Sequence, residues 1–148
     1  MELAKVDEAE VVLAAYQRAA TSAGDAEASL IAVSRHAVLA NLRGRFEVAT
    51  RLTDEVAELA ARIKLPDADR LVASLHSASV IETGTPDEWA EAEATLSRVA
   101  RALPGHLYEA TRARVLLALG RPEEAFAELE RVLRWMLACE CRKPCHQL

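Results

Sequence analysis

Apolar residues recur every three to four positions along much of the chain, with polar residues between them. The pattern is clearest over residues 52–63, 89–103 and 126–136, where apolar positions step by three and four. This spacing places the apolar side chains on one face of an α-helix. Runs of alternating β-branched and polar residues, which would indicate strands, are absent from the sequence. The pattern therefore predicts an all-α fold.

Short turn signals separate the periodic segments. Most of the five glycines and five prolines lie between those segments, for example at Gly44-Arg45, Gly84-Thr85-Pro86 and Gly120-Arg121-Pro122. Thr85 and Glu88 have the spacing of a capping box, which predicts a helix start there. The predicted helices lie near 3–22, 26–42, 46–63, 67–82, 87–101, 106–119 and 122–138. Connections this short make neighbouring helices antiparallel.

An internal repeat organises these helices. Residues 32–44 align with residues 72–84 at an offset of 40, and residues 110–120 align at a further offset of 36. Two sets of positions recur: Gly44, Gly84 and Gly120, and His36, His76 and Arg112. Hairpins of about this length bury their apolar faces by stacking on one another, so a repeat of this kind indicates a solenoid.

Small residues recur where stacked helices would cross. Ala37, Ala49, Ala113 and Ala125 fall where tetratricopeptide (TPR) repeats have small residues, and Phe46 falls where they have an aromatic. Over residues 1–138 we therefore expect a right-handed stack of antiparallel helical hairpins, a TPR-like solenoid of about seven helices. A compact helical bundle without repeats is the alternative.

Composition narrows the function classes. The net charge is −5 with mixed signs, which argues against direct nucleic-acid binding because that needs a concentrated basic patch. No apolar stretch approaches the length that spans a bilayer, and the first residues lack the pattern of a secretory signal. We therefore expect a cytoplasmic protein without membrane contact.

Three segments carry a family resemblance: residues 6–24, 42–68 and 96–133. They resemble the C-terminal TPR region of multidomain actinobacterial signalling proteins. These are MalT-like or LuxR-type ATP-dependent transcriptional regulators and adenylate or guanylate cyclases. The resemblance implies an arm that binds a protein or a small ligand and restrains other domains. The phosphate-binding loop, DNA-reading helices and cyclase domain of those proteins have no counterpart in this sequence.

Candidate chemistry is sparse. Ser34, His36 and Asp54 could be imagined as a catalytic triad, but Ser34 and His36 would point apart on one helix. We therefore expect no catalytic site, no cofactor and no metal. Charged runs that include Glu93, Glu128 and Arg131 are interpreted as solvated helix faces.

His36, His76 and Arg112 are the candidate ligand-binding residues. Their equivalent positions would align them as a ladder on stacked hairpins. One interpretation is a weakly basic, pH-sensitive stripe for an anionic ligand or acidic peptide, because histidine titrates near physiological pH. The other is that each residue only packs or lies at the rim of the stack.

The C-terminal residues 139–148 differ in composition from the rest. Cys139, Cys141, Cys145 and His146 are formally four metal ligands, but zinc sites usually come as two separated pairs. We interpret this segment as a disordered tail. An adventitious metal or redox site and a structural zinc site are the alternatives.

The last predicted helix carries large apolar residues in succession, and no later helix follows to cover them. The candidate dimer-interface residues are Val132, Leu133, Trp135, Met136 and Leu137. The leading functional hypothesis is therefore a protein-interaction or regulatory module that acts by binding a protein partner or by self-association as a homodimer. The alternative is a small-ligand sensor with a pocket between hairpins.

Overall fold

The computed structural model describes residues 3–66, 68–99 and 106–140. Within these ranges the chain forms seven α-helices and no strand. The helices are α1 (Leu3–Ala23), α2 (Ala26–Leu42), α3 (Phe46–Ile63), α4 (Ala68–Thr83), α5 (Pro86–Val99), α6 (His106–Ala118) and α7 (Pro122–Glu140). No helix in this part of the chain is both long enough and apolar enough to cross a membrane.

The helices stack in chain order. Three hairpins, α2–α3, α4–α5 and α6–α7, follow the single helix α1, and each helix packs against the next one described. The even-numbered helices also pack on one another, α2 on α4 and α4 on α6. The odd-numbered helices make no close backbone approach to each other within the described residues. The all-α stack of hairpins predicted from the repeat is thus confirmed, and it leaves a gap between each odd-numbered helix and the next.

The core lies along the even-numbered helices. Around the first two hairpins it contains Leu30, Val33, Ala37, Val56, Ala60 and Leu75. Around the second and third it contains Ala73, Ala92, Leu96, Tyr108 and Val115. The four alanines predicted at helix crossings are buried, each no more than 1% exposed. Their small side chains let the helices approach closely, as the repeat alignment predicts.

The three repeat glycines all lie in turns between paired helices, which confirms their predicted place. At Gly44 and Gly120 the φ angles are +69° and +71°, in the left-handed region that favours glycine. The hydrogen bonds also match, because Arg45 N–H donates to Ala40 O at 2.8 Å and Arg121 N–H donates to Leu116 O at 2.9 Å. In each turn the glycine N–H adds a second bond, from Gly44 to Asn41 O at 2.9 Å and from Gly120 to Leu117 O at 3.0 Å, which completes a Schellman motif.

The Gly84 turn is built differently. Trp89 stands five residues after this glycine, where the other two hairpins have the buried alanines Ala49 and Ala125. The Trp89 indole N–H donates to Val80 O at 3.0 Å, and Gly84 N–H donates to the same oxygen at 2.8 Å. A Cβ on Gly84 would lie 2.5 Å from that oxygen, so this glycine is required for close approach.

The start of α5 has the predicted capping box. The Glu88 carboxylate accepts from Thr85 N–H at 2.6 Å and from the Thr85 hydroxyl at 2.9 Å. In return Glu88 N–H approaches the Thr85 hydroxyl oxygen at 3.4 Å. This local chemistry fixes the helix start at Pro86, one residue before the predicted boundary.

The apolar stripe of α7 faces outward along its length, whereas the sequence predicted uncovered apolar residues only near the end of this helix. Phe126 and Leu129 are 64% and 44% exposed, whereas Ala125 and Glu128 are 1% and 7% exposed. The spacing correctly predicts a helix here, but α6 packs against the neighbouring face that carries Ala125 and Glu128. The apolar stripe is therefore left on the surface.

Candidate functional site

The gaps between odd-numbered helices are equivalent, and each has a repeat position at its floor. His36, His76 and Arg112 each lie eight residues before the turn glycine of their hairpin. His36 lies on α2 between α1 and α3, His76 on α4 between α3 and α5, and Arg112 on α6 between α5 and α7. The three gaps can therefore be compared with one another, because the helices around them are arranged alike and the side chains differ.

The walls of two gaps can be matched residue by residue from the turn glycines. On the first wall of each gap, Ala57 lies thirteen residues after its turn glycine in the α3–α5 gap, and Ser97 lies thirteen residues after its turn glycine in the α5–α7 gap. On the second wall, Ala92 and Glu128 each lie eight residues after their turn glycine. Two alanines in one gap thus correspond to two hydrogen-bonding residues in the other.

In the α5–α7 gap these polar residues enclose Arg112. Its guanidinium donates to the Glu93 carboxylate at 2.7 Å, to the Ser97 hydroxyl at 3.0 Å and to the Glu128 carboxylate at 3.0 Å. The side chains of Arg112, Glu93 and Glu128 are 20%, 14% and 9% exposed. Arg131 also pairs with Glu128 at 2.7 Å. The network fills this gap and joins α5, α6 and α7.

The network changes the acid–base properties of its members. Burial alone would raise the pKa of Glu93. Hydrogen bonds from Ser97 and Arg112, together with the positive charges of Arg112 and Arg121, outweigh this and hold the pKa below its ordinary value of 4.5. The sequence analysis interprets Glu93 and Glu128 as parts of solvated helix faces, and this interpretation is wrong, because both carboxylates are largely buried in the network. Arg112, predicted as a ligand-binding residue, has its guanidinium engaged within the protein.

The α1–α3 gap is partly closed by surface ion pairs. Arg43 pairs with Asp7, and Arg45 pairs with Glu10 at 2.7 Å, so the α2–α3 turn is tied to α1. His36 is half-buried beside two shallow depressions of about 520 and 230 Å³. The smaller depression is also lined by Leu52, which fills the position of Ala92 in the next gap.

The α3–α5 gap is an open groove of about 680 Å³. His76 and Ser77 of α4 contribute to its floor, Ala57 and Ala61 to its α3 wall, and Ala92 to its α5 wall. A methyl side chain is too short to reach across a helix gap, and no ion pair spans this groove within the described residues. We name this cavity the α3–α5 groove.

Charged residues line the two ends of the groove. Glu88 and Glu91 lie toward the α4–α5 turn, and Asp69 and Arg98 lie toward the opposite end, because α4 and α5 run antiparallel. The backbone and hydroxyl hydrogen bonds from Thr85 lower the pKa of Glu88, so the groove carries a fixed negative charge at its turn end. Glu91 is exposed and has no ion-pair partner among the described residues. The turn end of the groove is therefore acidic.

The predicted ladder is present in the repeat but does not form one site. His36 and His76 line separate cavities, and Arg112 lies in the ionic network. Ligand binding by these three residues stays a prediction. The groove-defining alanines Ala57 and Ala92 were not singled out from sequence, although their fixed distances from the turn glycines were available as a signal.

The predicted dimer-interface residues lie on α7. Leu133, Met136 and Leu137 are 56%, 45% and 54% exposed, and Val132 is half-buried. The side chain of Trp135 lies outside what the structure describes. The same holds for the side chain of Cys139 and for all of Cys141, Cys145 and His146, so the interpretation of the tail stays a prediction.

No family model, curated protein or solved structure matches the chain. The resemblance to TPR regions of signalling proteins therefore stays a prediction.

Proposed function

We propose that the chain is a protein-interaction module whose α3–α5 groove binds one amphipathic helix of a partner protein, without catalysis. A single observation carries this proposal. Ala57 and Ala92 leave unfilled the gap that Ser97 and Glu128 fill with Arg112 one repeat later. The same architecture is thus closed in one place and open in the next.

The length of the groove suits a short helix. Its α5 wall runs from Glu88 to Val99, eleven residue steps, or about 16 Å at the helical rise of ~1.5 Å per residue. Alanines at Ala57 and Ala61 on the opposite wall permit close packing, because small residues allow helix axes to approach. A partner helix of about three turns would therefore lie along the groove, over the α4 residues of its floor.

The charges specify the partner further. Glu88 and Glu91 at the turn end favour a lysine or arginine on the partner helix, whereas Asp69 and Arg98 give the other end both signs of charge. Between them the alanine-lined walls favour a small or aliphatic face with anchors at i, i+3, i+4 and i+7. His76 lies between the ends, where it contributes a polar contact.

The openness of the groove favours a peptide over a small molecule. A small-ligand site usually encloses most of its ligand within an apolar cavity. Here His76 at the floor is itself exposed to solvent. The sensor hypothesis is therefore the second candidate, and a regulatory role within a larger signalling protein, as the family resemblance implies, would use the same groove.

Selection from a displayed library of helical peptides tests the proposal. We expect enriched sequences to share a small or aliphatic face and a basic residue near one end. Ala61→Trp, which places an indole in the groove, should abolish their binding. Ala94→Trp is the matched control, because Ala94 is an exposed alanine of α5 outside the groove lining.

A charge reversal sharpens the same test. Glu91→Lys should weaken binding of the selected helices by roughly tenfold or more at low ionic strength, because it removes the charge complementary to their basic residue. Glu58→Lys, an exposed glutamate of α3 outside the groove, should leave binding unchanged. Enriched peptides that bind Ala61→Trp as well as the unmodified protein would refute the proposal.

A further inference from the structure

The exposed apolar stripe on α7 is a second surface that the groove does not use. Its members are Phe126 (64% exposed), Leu129 (44%), Leu133 (56%), Met136 (45%) and Leu137 (54%). None of these residues lines the α3–α5 groove. A contiguous apolar stripe of this kind on a protein surface marks an interaction site.

The spacing of the stripe is that of a coiled-coil seam. Phe126, Leu129, Leu133 and Met136 are separated by three, four and three residues. This is the alternation of a and d positions in a heptad, in which each side chain packs into a hole on a facing helix. The stripe is therefore shaped to receive one helix lying nearly along α7.

The charges along α7 identify that helix. Residues 122–130 contain three exposed glutamates, one buried glutamate and no basic residue, whereas residues 131–139 contain two arginines and no acidic residue. Glu130 and Arg134, at the edge of the stripe, are 49% and 74% exposed, and they form a surface ion pair along α7 at 3.6 Å. A second α7 placed antiparallel brings the acidic half of each helix beside the basic half of the other. A parallel second copy would place like charges together.

We propose that two copies of the chain associate through α7, with the two helices antiparallel about a two-fold axis near residue 131. In this register Phe126 packs against Met136 of the second copy, and Leu129 packs against Leu133 of the second copy. Glu130 then lies near Arg134 of the second copy. Each contact occurs twice, as in any two-fold interface.

Sedimentation velocity across a wide range of protein concentrations measures this association. The full chain should shift from monomer to dimer as concentration rises, and Leu133→Glu should remain monomeric throughout. Leu42→Glu is the matched control, because Leu42 is an equally apolar residue on α2, 69% exposed and remote from α7. It should dimerise like the unmodified chain.

Charge exchange tests the antiparallel register. Glu130→Arg alone and Arg134→Glu alone should each raise the dissociation constant of the dimer by roughly tenfold, because each places like charges across the interface. The double variant should restore it. Circular dichroism of each variant separates loss of dimer from loss of fold.

A chain that stays monomeric at high concentration would overturn this proposal. A dimer that both Leu133→Glu and the charge variants leave intact would overturn it equally. Neither result would bear on the groove, since peptide binding there is measured with variants of α3 and α5. Failure of the two proposals is therefore distinguishable.

Discussion

The α3–α5 and α5–α7 gaps occupy equivalent places in the stack and differ in what fills them. In the second, Arg112 is held by Glu93, Ser97 and Glu128 and joins three helices. In the first, the corresponding walls carry Ala57 and Ala92, and a groove of about 680 Å³ remains. The packing of the helices alone therefore does not determine whether side chains close a gap or leave it open as a groove.

This difference follows from how the hairpins pack. The even-numbered helices contact one another and carry most of the core, so the stack does not depend on contacts between odd-numbered helices. Side chains at a gap are then free to serve either stability or binding. A network of charged side chains serves stability only when its members are mutually satisfied, as those around Arg112 are.

The largest expected loss of stability follows from removing the positive charge of Arg112 from the α5–α7 gap. Arg112→Ala leaves Glu93 and Glu128 without their main partner in a largely buried setting. It should lower the free energy of unfolding by about 2–4 kcal/mol. His76→Ala, the equivalent change in the open groove, should stay within about 0.5 kcal/mol because His76 is exposed. Urea denaturation of both variants measures the contrast, and equal losses would contradict it.

The second prediction compares the loss of stability when leucine replaces an alanine at a helix crossing with the loss when it replaces an alanine on the groove wall. Ala49 and Ala125 are 0% and 1% exposed, so a leucine at either position should overpack the crossing and cost about 1–3 kcal/mol. Ala61→Leu, on the groove wall, should cost less than about 0.5 kcal/mol because the added atoms enter open space. Thermal melts compare the three variants. Unchanged melting for both crossing variants would mean that these alanines do not lie at crossings.

The smallest expected effect is a pH dependence of the stability that Glu93 contributes in the α5–α7 gap. The folded-state pKa of Glu93 lies below its ordinary value of 4.5, so its ionised form stabilises the fold above that pH. The stabilisation is lost as pH falls through the lower folded-state pKa. The stability difference between the unmodified chain and Glu93→Gln should therefore narrow as pH is lowered from neutrality to below about 4.

Denaturation at a series of pH values measures that difference. Glu58→Gln is the control, because Glu58 is exposed and has no ion-pair partner among the described residues. Its stability difference from the unmodified chain should stay small and constant. If the stability difference between Glu93→Gln and the unmodified chain is the same at all pH values, the ionisation of Glu93 does not stabilise the α5–α7 network.

Local features of the fold and the stacking of the hairpins were predictable from sequence, whereas the ion pairs between helices were not. The capping box at Thr85 and the turns at Gly44 and Gly120 depend on residues within one turn of each other. The burial of Glu128 depends on Arg112, sixteen residues away on another helix, so its sequence neighbours gave no sign of it. On α7 the helical period predicted the helix, but it did not show that α6 would cover a different face.

The candidate groove was hidden for a related reason. An alanine at a helix crossing and an alanine on a groove wall look alike in sequence, because both are small and helix-favouring. Ala49 is buried at a crossing and Ala61 lines open space, although both lie on α3. Only the relative placement of α3 and α5 separates the two cases.

Introducing an arginine–glutamate pair into the α3–α5 groove tests most directly whether side chains determine if a gap binds a partner helix. The variant His76→Arg with Ala92→Glu reproduces the Arg112–Glu128 pair one repeat earlier. A helical peptide selected on the unmodified chain is titrated calorimetrically against this variant, with its fold checked by circular dichroism. We expect a folded protein that binds the peptide at least about tenfold more weakly, because the new pair fills the groove. A folded variant that binds the peptide with unchanged affinity would contradict the account.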